Sequence, residues 1–432
     1  MEVVNGEGGV HTMSHSLNAG FFTSNRKRLA ESMKDYSILV LFAGKAPHRS
    51  ADSDYAFTPN RNFYYLTGID RENVILRIVK RDGDIEETLY VERPDEIAAK
   101  WTGERLSAEA AANASGVKSI AYLDEFHDQF KGLFRRTMFK QLYLTFESES
   151  WDTPNTPAHQ FAAQVRERMP HLKIRNAFPL ITELRAVKSE AEIAQIRQAI
   201  DITNDGILNM LKNVKPGMME YQLEAHFNFA LKTAGVRDHA FPSIIAGGKR
   251  ATVLHYVENN QELKDGELVL IDLGAAWNYY SGDISRTFPV SGKFTPRQRE
   301  IYEIVLTAEE ETMAAVKPGM TLKELNDVTK QVLARELKRI GKIKEDDEVV
   351  EYYYHSVSHS LGLDTHDVWD SSYKIQPGAV ITIEPGLYLA DEGIGIRIED
   401  DVVVTKHGCE SLSPQIPKSV EDIERLIQEA NS

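Results

Sequence analysis

The acids in the second half of the chain fall into two sets with the same spelling. Gly266 opens an apolar run, Leu268 to Ile271, that closes on Asp272; Gly378 opens another, Val380 to Ile383, that closes on Glu384, at the same distance from its glycine. A second acid follows each run after a turn: Asp283 in Ser-Gly-Asp-Ile-Ser-Arg and Glu399 in Ile-Arg-Ile-Glu. Four carboxylates brought together in an interior would repel, and some would take up protons unless cations lay among them. Two divalent ions neutralise four carboxylates, and one imidazole, His359, completes a hard, oxygen-rich set suited to Mn2+, Co2+ or Zn2+. Paired ions of that kind lower the pKa of a water between them and supply hydroxide near neutral pH.

Taken singly, an acid just past a strand is ordinarily a turn or surface residue. The matched order is what argues for a site, and it extends backwards. Val-Lys-Pro-Gly-Met recurs at residues 214–218 and 316–320, with a helical pattern before and after each copy. Ser189 to Glu192 and Thr295 to Gln298 both spell a capping box, the second with Pro at the first helical position. Each half therefore reads helix, Lys-Pro-Gly turn, helix, histidine segment, strand, hairpin, an internal duplication over residues 185–405 with the acids at a pseudo-twofold axis. In the last hairpin Ile394, Ile396 and Ile398 alternate with Gly395, Arg397 and Glu399, so Arg397 and Glu399 share one strand face. Of the histidines, His355, His359 and His366 cluster before the second metal strand and His255 lies before the first. His11, His15, His48, His127, His159, His171 and His407 read as structural, His226 as a packing or surface residue, and His239 is left open.

Ahead of the duplication the chain alternates strands (Ser37–Phe42, 74–79, 87–91, 141–146, 172–175) with helices (26–33, 95–100, 107–114, 124–134, 158–169), which indicates an α/β domain. The expected division is a disordered lead over 1–20, an N-terminal α/β domain over 21–178 and an α+β duplicated domain over 179–432. Residues 1–20 lack the basic start and apolar middle of a signal peptide, and Met13 is an alternative start. A net charge of −15 argues against a nucleic-acid partner. No apolar run approaches the about 20 residues that span a bilayer, and the single cysteine, Cys409, precludes an intrachain disulfide or a thiolate-rich metal site and fits a reducing, cytoplasmic setting.

The segments Leu-Ile-Asp-Leu-Gly, Ser-Gly-Asp-Ile-Ser-Arg-Thr-Phe, Ser-His-Ser-Leu-Gly-Leu-Asp-Thr-His-Asp, Thr-Ile-Glu-Pro-Gly-Leu-Tyr and Gly-Ile-Arg-Ile-Glu-Asp resemble the pita-bread metallopeptidases, in particular the proline-directed branch of Xaa-Pro aminopeptidase (aminopeptidase P) and prolidase. Asn60 to Gly68 and Trp101 to Arg105 resemble the N-terminal domain of aminopeptidase P. The resemblance implies a pita-bread fold for the second domain and two divalent ions, Mn2+ before Co2+ or Zn2+. Asp272 would hold one ion, His359 and Glu384 the other, with Asp283 and Glu399 bridging. His255 and His366 would contact the substrate, His355 would line the cleft, and Glu384 would aid proton transfer. Arg397 would brace Asp283, Tyr388 would help form the pocket for the proline ring, and Trp101 would reach a neighbouring subunit's site in a homodimer or homotetramer. The implied substrates are peptides with proline at position two. Prolidase is the near alternative, and a metal-free creatinase-like amidinohydrolase or a peptide-binding relative the distant one. Two departures stand out: Ser356 replaces a usual glycine, and an arginine common after His366 is missing, with Lys374 as the candidate substitute.

Overall fold

The computed structural model describes residues 17–135, 137–147 and 150–431. Most of the expected disordered lead, with His11, Met13 and His15, lies outside the described residues. Its end is corrected: the Asn18 side chain accepts the Phe21 N–H at 3.1 Å and caps a helix over Ala19–Ser32, whose Phe22, Leu29 and Ala30 are buried. The turn-forming composition of 17–20 is thus a helix start.

The N-terminal domain is built on a six-stranded sheet in the order Ile120–Tyr122, Asp84–Val91, Ile75–Arg81, Ser37–Phe42, Gln141–Leu144, Lys173–Asn176. Side chains alternate across Ser37–Phe42 as strand geometry requires. Ile38 and Val40 pack with Phe126, Phe130 and Phe161 in a core closed within this domain. Leu39 and Leu41 face the other way, into a core continuous with the second domain. Three elements were not anticipated: the strand Ile120–Tyr122, the hairpin His48–Ser50 with Ser53–Asp54, and the helix Arg61–Thr67. That helix is only one apolar patch long, capped by the Asn60 side chain on the Phe63 N–H (2.9 Å) and ended by Gly68 in the left-handed region. The expected domain break after residue 178 falls at the start of the helix Phe178–Ala186, which packs against Ala19–Ser32.

The duplication is physically realised. The first half runs through the helices Glu190–Asn213 and Glu220–Thr233, the strands Ile244–Gly247 and Leu268–Leu273, a hairpin (Ala276–Trp277, Tyr280–Ser281) and the strand Ile284–Pro289. The second runs through the helices Pro296–Ala315 and Leu322–Arg339, the strand Val380–Ile383, a hairpin (Gly386–Leu389, Ile394–Arg397) and the strand Asp400–Val404. Both capping boxes form. After each Lys-Pro turn the same pair of backbone bonds ties the turn to the segment before the acid-bearing strand. Gly217 N–H reaches Leu263 O at 2.8 Å and Leu263 N–H returns to Met218 O at 2.7 Å; Gly319 and Ile375 with Met320 repeat this at 2.8 and 2.7 Å. In each half the two long strands pair antiparallel, Leu268–Leu273 with Ile284–Pro289 and Val380–Ile383 with Asp400–Val404.

The repeated glycines turn the chain into those strands with positive φ, 78° at Gly266 and 90° at Gly378. A Cβ at Gly266 would meet open space, whereas one at Gly378 would lie 2.9 Å from Val187 Cγ1 and 3.1 Å from Lys188 O. Both positions charge an L-residue about 1–2 kcal/mol for the backbone; only Gly378 adds a clash, for a total of about 2–4 kcal/mol. Thermal unfolding of Gly266→Ala and Gly378→Ala should therefore rank the second as clearly less stable, and equal losses would contradict this packing.

Candidate active site

Strand pairing delivers the acids. Asp272 stands in its strand opposite Ser285, and Asp283 directly precedes the partner strand. The two legs close tightly between them: a Cβ on Gly274 would lie 1.8 Å from Gly282 O, so only glycine fits. Glu384 follows Val380–Ile383 and Glu399 precedes Asp400–Val404. The halves then hold each other's acids, since Glu399 N–H donates to Ser285 O at 3.1 Å and Asp283 N–H donates to Asp401 Oδ2 at 3.0 Å. The histidine segment lies alongside Val380–Ile383: Thr382 N–H donates to His359 O (3.1 Å), Leu361 N–H to Val380 O (3.0 Å) and Glu384 N–H to Val357 O (2.9 Å). This sets His359 beside Glu384.

The five expected ligands share one cavity of about 1050 Å³. Donor atoms of Asp283, His359 and Glu399 all lie within 4.8 Å of one another. His359 Nδ1 faces the Ser360 carbonyl oxygen at 3.1 Å and so carries the ring proton. Its Nε2 lone pair therefore points at oxygens, Asp283 Oδ2 at 3.3 Å and Glu384 Oε1 at 3.6 Å. A lone pair facing ionised carboxylates is repulsive unless a proton or a cation lies between them. Asp272 Oδ1 is likewise buried with no hydrogen-bond partner. Burial, then the neighbouring acids, push Asp283 and Glu399 well above the ordinary carboxylate range, and burial lifts Glu384 to about 8. Burial, then the neighbouring His366, lower His359 to about 4, which keeps it neutral at physiological pH. Hard oxygen donors, a neutral imidazole of fixed tautomer and an orphaned carboxylate oxygen together fit divalent metal.

Arg397 corrects one expectation: it braces Asp272, not Asp283. Its Nη2 donates to Asp272 Oδ2 at 2.7 Å, its Nε to Ser285 Oγ at 2.8 Å and its Nη1 to the Tyr388 hydroxyl at 3.0 Å. Ser285 passes the contact on, donating to Glu399 Oε2 at 2.8 Å. Tyr388 corrects another. It does not line the cavity; it is 2 % exposed, and its hydroxyl stands 2.8 Å from His355 Nε2. His355 Nδ1 donates to Ser356 O at 2.8 Å, so Nε2 accepts from Tyr388 and both ring nitrogens are committed. His355 thus lines the cleft as expected but offers no ring N–H to a substrate. His255 and His366 line the same cavity, both exposed, with His366 stacked edge-on to His359 at 4.4 Å.

Trp101 lies away from this cavity, 86 % exposed on the helix Glu96–Thr102, so within one chain it is no part of the site. Lys374 does not line the cavity either. His239 resolves as structural, with Nδ1 2.8 Å from Ser243 Oγ and Nε2 bonded to Asn228. Sequence reading overlooked Arg61, Phe146 and Glu147 of the N-terminal domain, and Phe178 and Arg185 of the connecting helix, all of which line the cavity. It also overlooked Ser285, which strand alternation from Asp283 would have found.

A duplicated domain that gathers four acids and a histidine on one cavity floor defines a metallopeptidase of the pita-bread class. Residues 194–406 match metallopeptidase family M24, and residues 22–143 match the N-terminal domain of aminopeptidase P. The Xaa-Pro aminopeptidase of Escherichia coli strain K12 is 35 % identical over 94 % of this chain and 97 % of its own length. Human Xaa-Pro aminopeptidase 3 is 33 % identical over 93 % of this chain and 82 % of its own. Among solved structures, a Bacillus anthracis chain assigned as an aminopeptidase P superposes with a TM-score of 0.94 at 50 % identity, covering 96 % of this chain and 99 % of that one. Aminopeptidase P from E. coli with the inhibitor Pro-Leu gives 0.88 at 34 % identity, over 96 % and 99 %. The chain belongs to the Xaa-Pro aminopeptidase family of M24 metallopeptidases.

The carboxyl shifts set a pH dependence. With no metal ion beside it, burial outweighs the neighbouring Arg397 and Glu384 has a folded pKa of about 8 against 4.5 ordinarily. Its contribution to stability is complete below pH 4.5 and lost as pH rises through 8. His355 and His359, lowered to about 4, have the opposite sign: their contribution is present above pH 6.5 and lost as pH falls through 4. Between pH 6.5 and 8 the histidine part is constant and the carboxylate part declines. Metal-stripped protein should lose thermal stability over that interval, and added Mn2+ should raise the midpoint more at the upper end. A metal-free midpoint that climbs with pH there would contradict the assignment.

Proposed function

We propose that the chain is a metal-dependent exopeptidase that releases the N-terminal residue from peptides with proline second. The observation that carries this is the convergence of Asp272, Asp283, His359, Glu384 and Glu399 in a cavity also walled by His255 and His366. Asp272 would hold one divalent ion, His359 with Glu384 a second, and Asp283 and Glu399 both; Mn2+ is the first choice and Co2+ or Zn2+ the alternatives. When bound there, such ions would lower the pKa of water and polarise the scissile carbonyl. Glu384 takes the proton given up by the attacking water and passes it to the proline nitrogen as the C–N bond breaks. That nitrogen is a tertiary amide without N–H, so enzymes that bind an extended N–H at this place fit it poorly. His255 and His366 donate to the carbonyl oxygen as charge builds on it. Arg397, Tyr388 and His355 form a line of hydrogen bonds behind the acids that fixes the Asp272 carboxylate.

Room in the cavity favours an aminopeptidase over a strict dipeptidase, because about 1050 Å³ lies at the upper end of ordinary ligand sites. Retention of every ligand position argues against a metal-free relative. Trp101 and Ile97, 86 % and 74 % exposed on one helix, support assembly as a homodimer or homotetramer. Among the described residues no helix is long and apolar enough to cross a membrane, and a single cysteine supports the proposed cytoplasmic setting.

The test is a panel of Xaa-Pro-Xaa and Xaa-Pro peptides, offered to stripped protein resupplied with Mn2+, Co2+ or Zn2+. Metal-dependent release of the first residue from the tripeptides is expected. Turnover of dipeptides alone would replace the proposal with prolidase. Asp283→Ala should abolish turnover and lower metal content; wild-type rates in that variant would refute the role.

A further inference from the structure

The three arginines among the described residues of the cavity differ in what they are free to do. Arg397 spends all three nitrogens on Asp272, Ser285 and Tyr388. Arg185 spends both terminal nitrogens: Nη1 on Asn62 Oδ1 at 2.7 Å, and Nη2 on Asp364 Oδ2 at 2.8 Å and Asp367 Oδ1 at 2.5 Å. Arg61 is different. Its Nε and Nη1 are shielded from solvent and make no hydrogen bond. Asp364 gives it an ion pair, with Oδ1 3.5 Å from Nε, but no hydrogen bond, and Asp364 also receives Arg185. The other acid on this wall, Glu147, is held by Asn60 Nδ2 at 2.9 Å and by Asn62.

What keeps Arg61 in place is a ring. Its guanidinium carbon stands 4.6 Å from the centroid of Tyr279, in the hairpin between Asp272 and Asp283. Such stacking fixes the plane of the guanidinium without using its N–H groups. A planar, pre-set fork with unused donors is the arrangement that binds a carboxylate through two parallel hydrogen bonds. Leaving those shielded N–H groups without a hydrogen bond is costly, which makes a ligand oxygen the natural partner.

We propose that Arg61, supplied by the N-terminal domain, is the anchor for the C-terminal carboxylate of a short peptide whose N-terminal residue lies at the metal ligands. This rests on the exopeptidase reading above. Among peptides of any sequence, the terminal carboxylate is the one anionic group always present, so a single fixed arginine serves all of them. The consequence is a preference for peptides that end inside the cavity.

The experiment compares free-acid and C-terminally amidated peptides on the metal-loaded protein. One arm measures KM and kcat for Ala-Pro-Ala and its amide; the other measures binding of the product dipeptide Pro-Ala and its amide by calorimetry. Wild type should favour the free acid about tenfold in KM and Kd, the size of about 1.4 kcal/mol. Arg61→Gln should bring acid and amide within about twofold of each other in KM and Kd, and Arg61→Lys should restore only part of the preference. No acid preference in wild type, or one that survives in Arg61→Gln, overturns the proposal even if Xaa-Pro hydrolysis is intact. A calorimetric preference that depends on Arg61, with no Xaa-Pro hydrolysis in any metal, would sustain it and fail the exopeptidase reading instead.

Discussion

Mutual repulsion among buried acids governs this structure. Asp283 and Glu399 are 4 % and 1 % exposed, and neither could be ionised beside Asp272 and Glu384 in a dry interior without positive charge among them. The fold supplies some of that charge itself. Arg397 touches Asp272 on the cavity side. Below the floor, Arg286 donates to the Glu399 carbonyl at 2.6 Å and pairs with Asp400 at 2.6 Å, and Lys418 joins Asp400 at 2.6 Å to Glu309 at 2.9 Å. Arg286 and Lys418 serve backbone and neighbouring acids, not the side-chain oxygens of Asp283, Glu384 or Glu399. Divalent metal would supply the remaining charge, and the antiparallel strand pairs of the two halves are the frame that holds the oxygens against their repulsion.

The N-terminal domain is part of that frame. Arg185 ties Asn62 to Asp364 and Asp367, and Lys188 continues from Asp367 (3.0 Å) to the Ser360 hydroxyl (3.1 Å), one residue from His359. A line of buried polar contacts therefore runs from the helix Arg61–Thr67 to the segment that carries His359 and His366. Since the sheet core is also continuous between the two domains, the first domain both walls the cavity and steadies its histidines.

Legibility in the sequence followed chemistry and repetition. That the four acids would converge was readable because the same glycine–strand–acid order occurs twice, and duplication turns weak single signals into one strong one. Helix starts at Ser189 and Thr295 were readable because a capping box has local grammar. Contacts set by tertiary packing were not. Nothing local told Arg397 to brace Asp272 instead of Asp283, because the choice depends on which strand lies opposite. The resemblance implied that Tyr388 walls the pocket, yet strand alternation turns its hydroxyl to the back of the site. Arg61 sat in a motif noted only for resemblance, and its meaning comes from a hairpin more than two hundred residues away in the chain.

The most direct measurement is the number of divalent ions bound per chain at neutral pH, counted by titration calorimetry and checked by elemental analysis of the dialysed protein. The charge argument predicts saturation at two Mn2+ per chain, with protons released on binding. Saturation at one ion, or activity in protein shown to hold none, would contradict it.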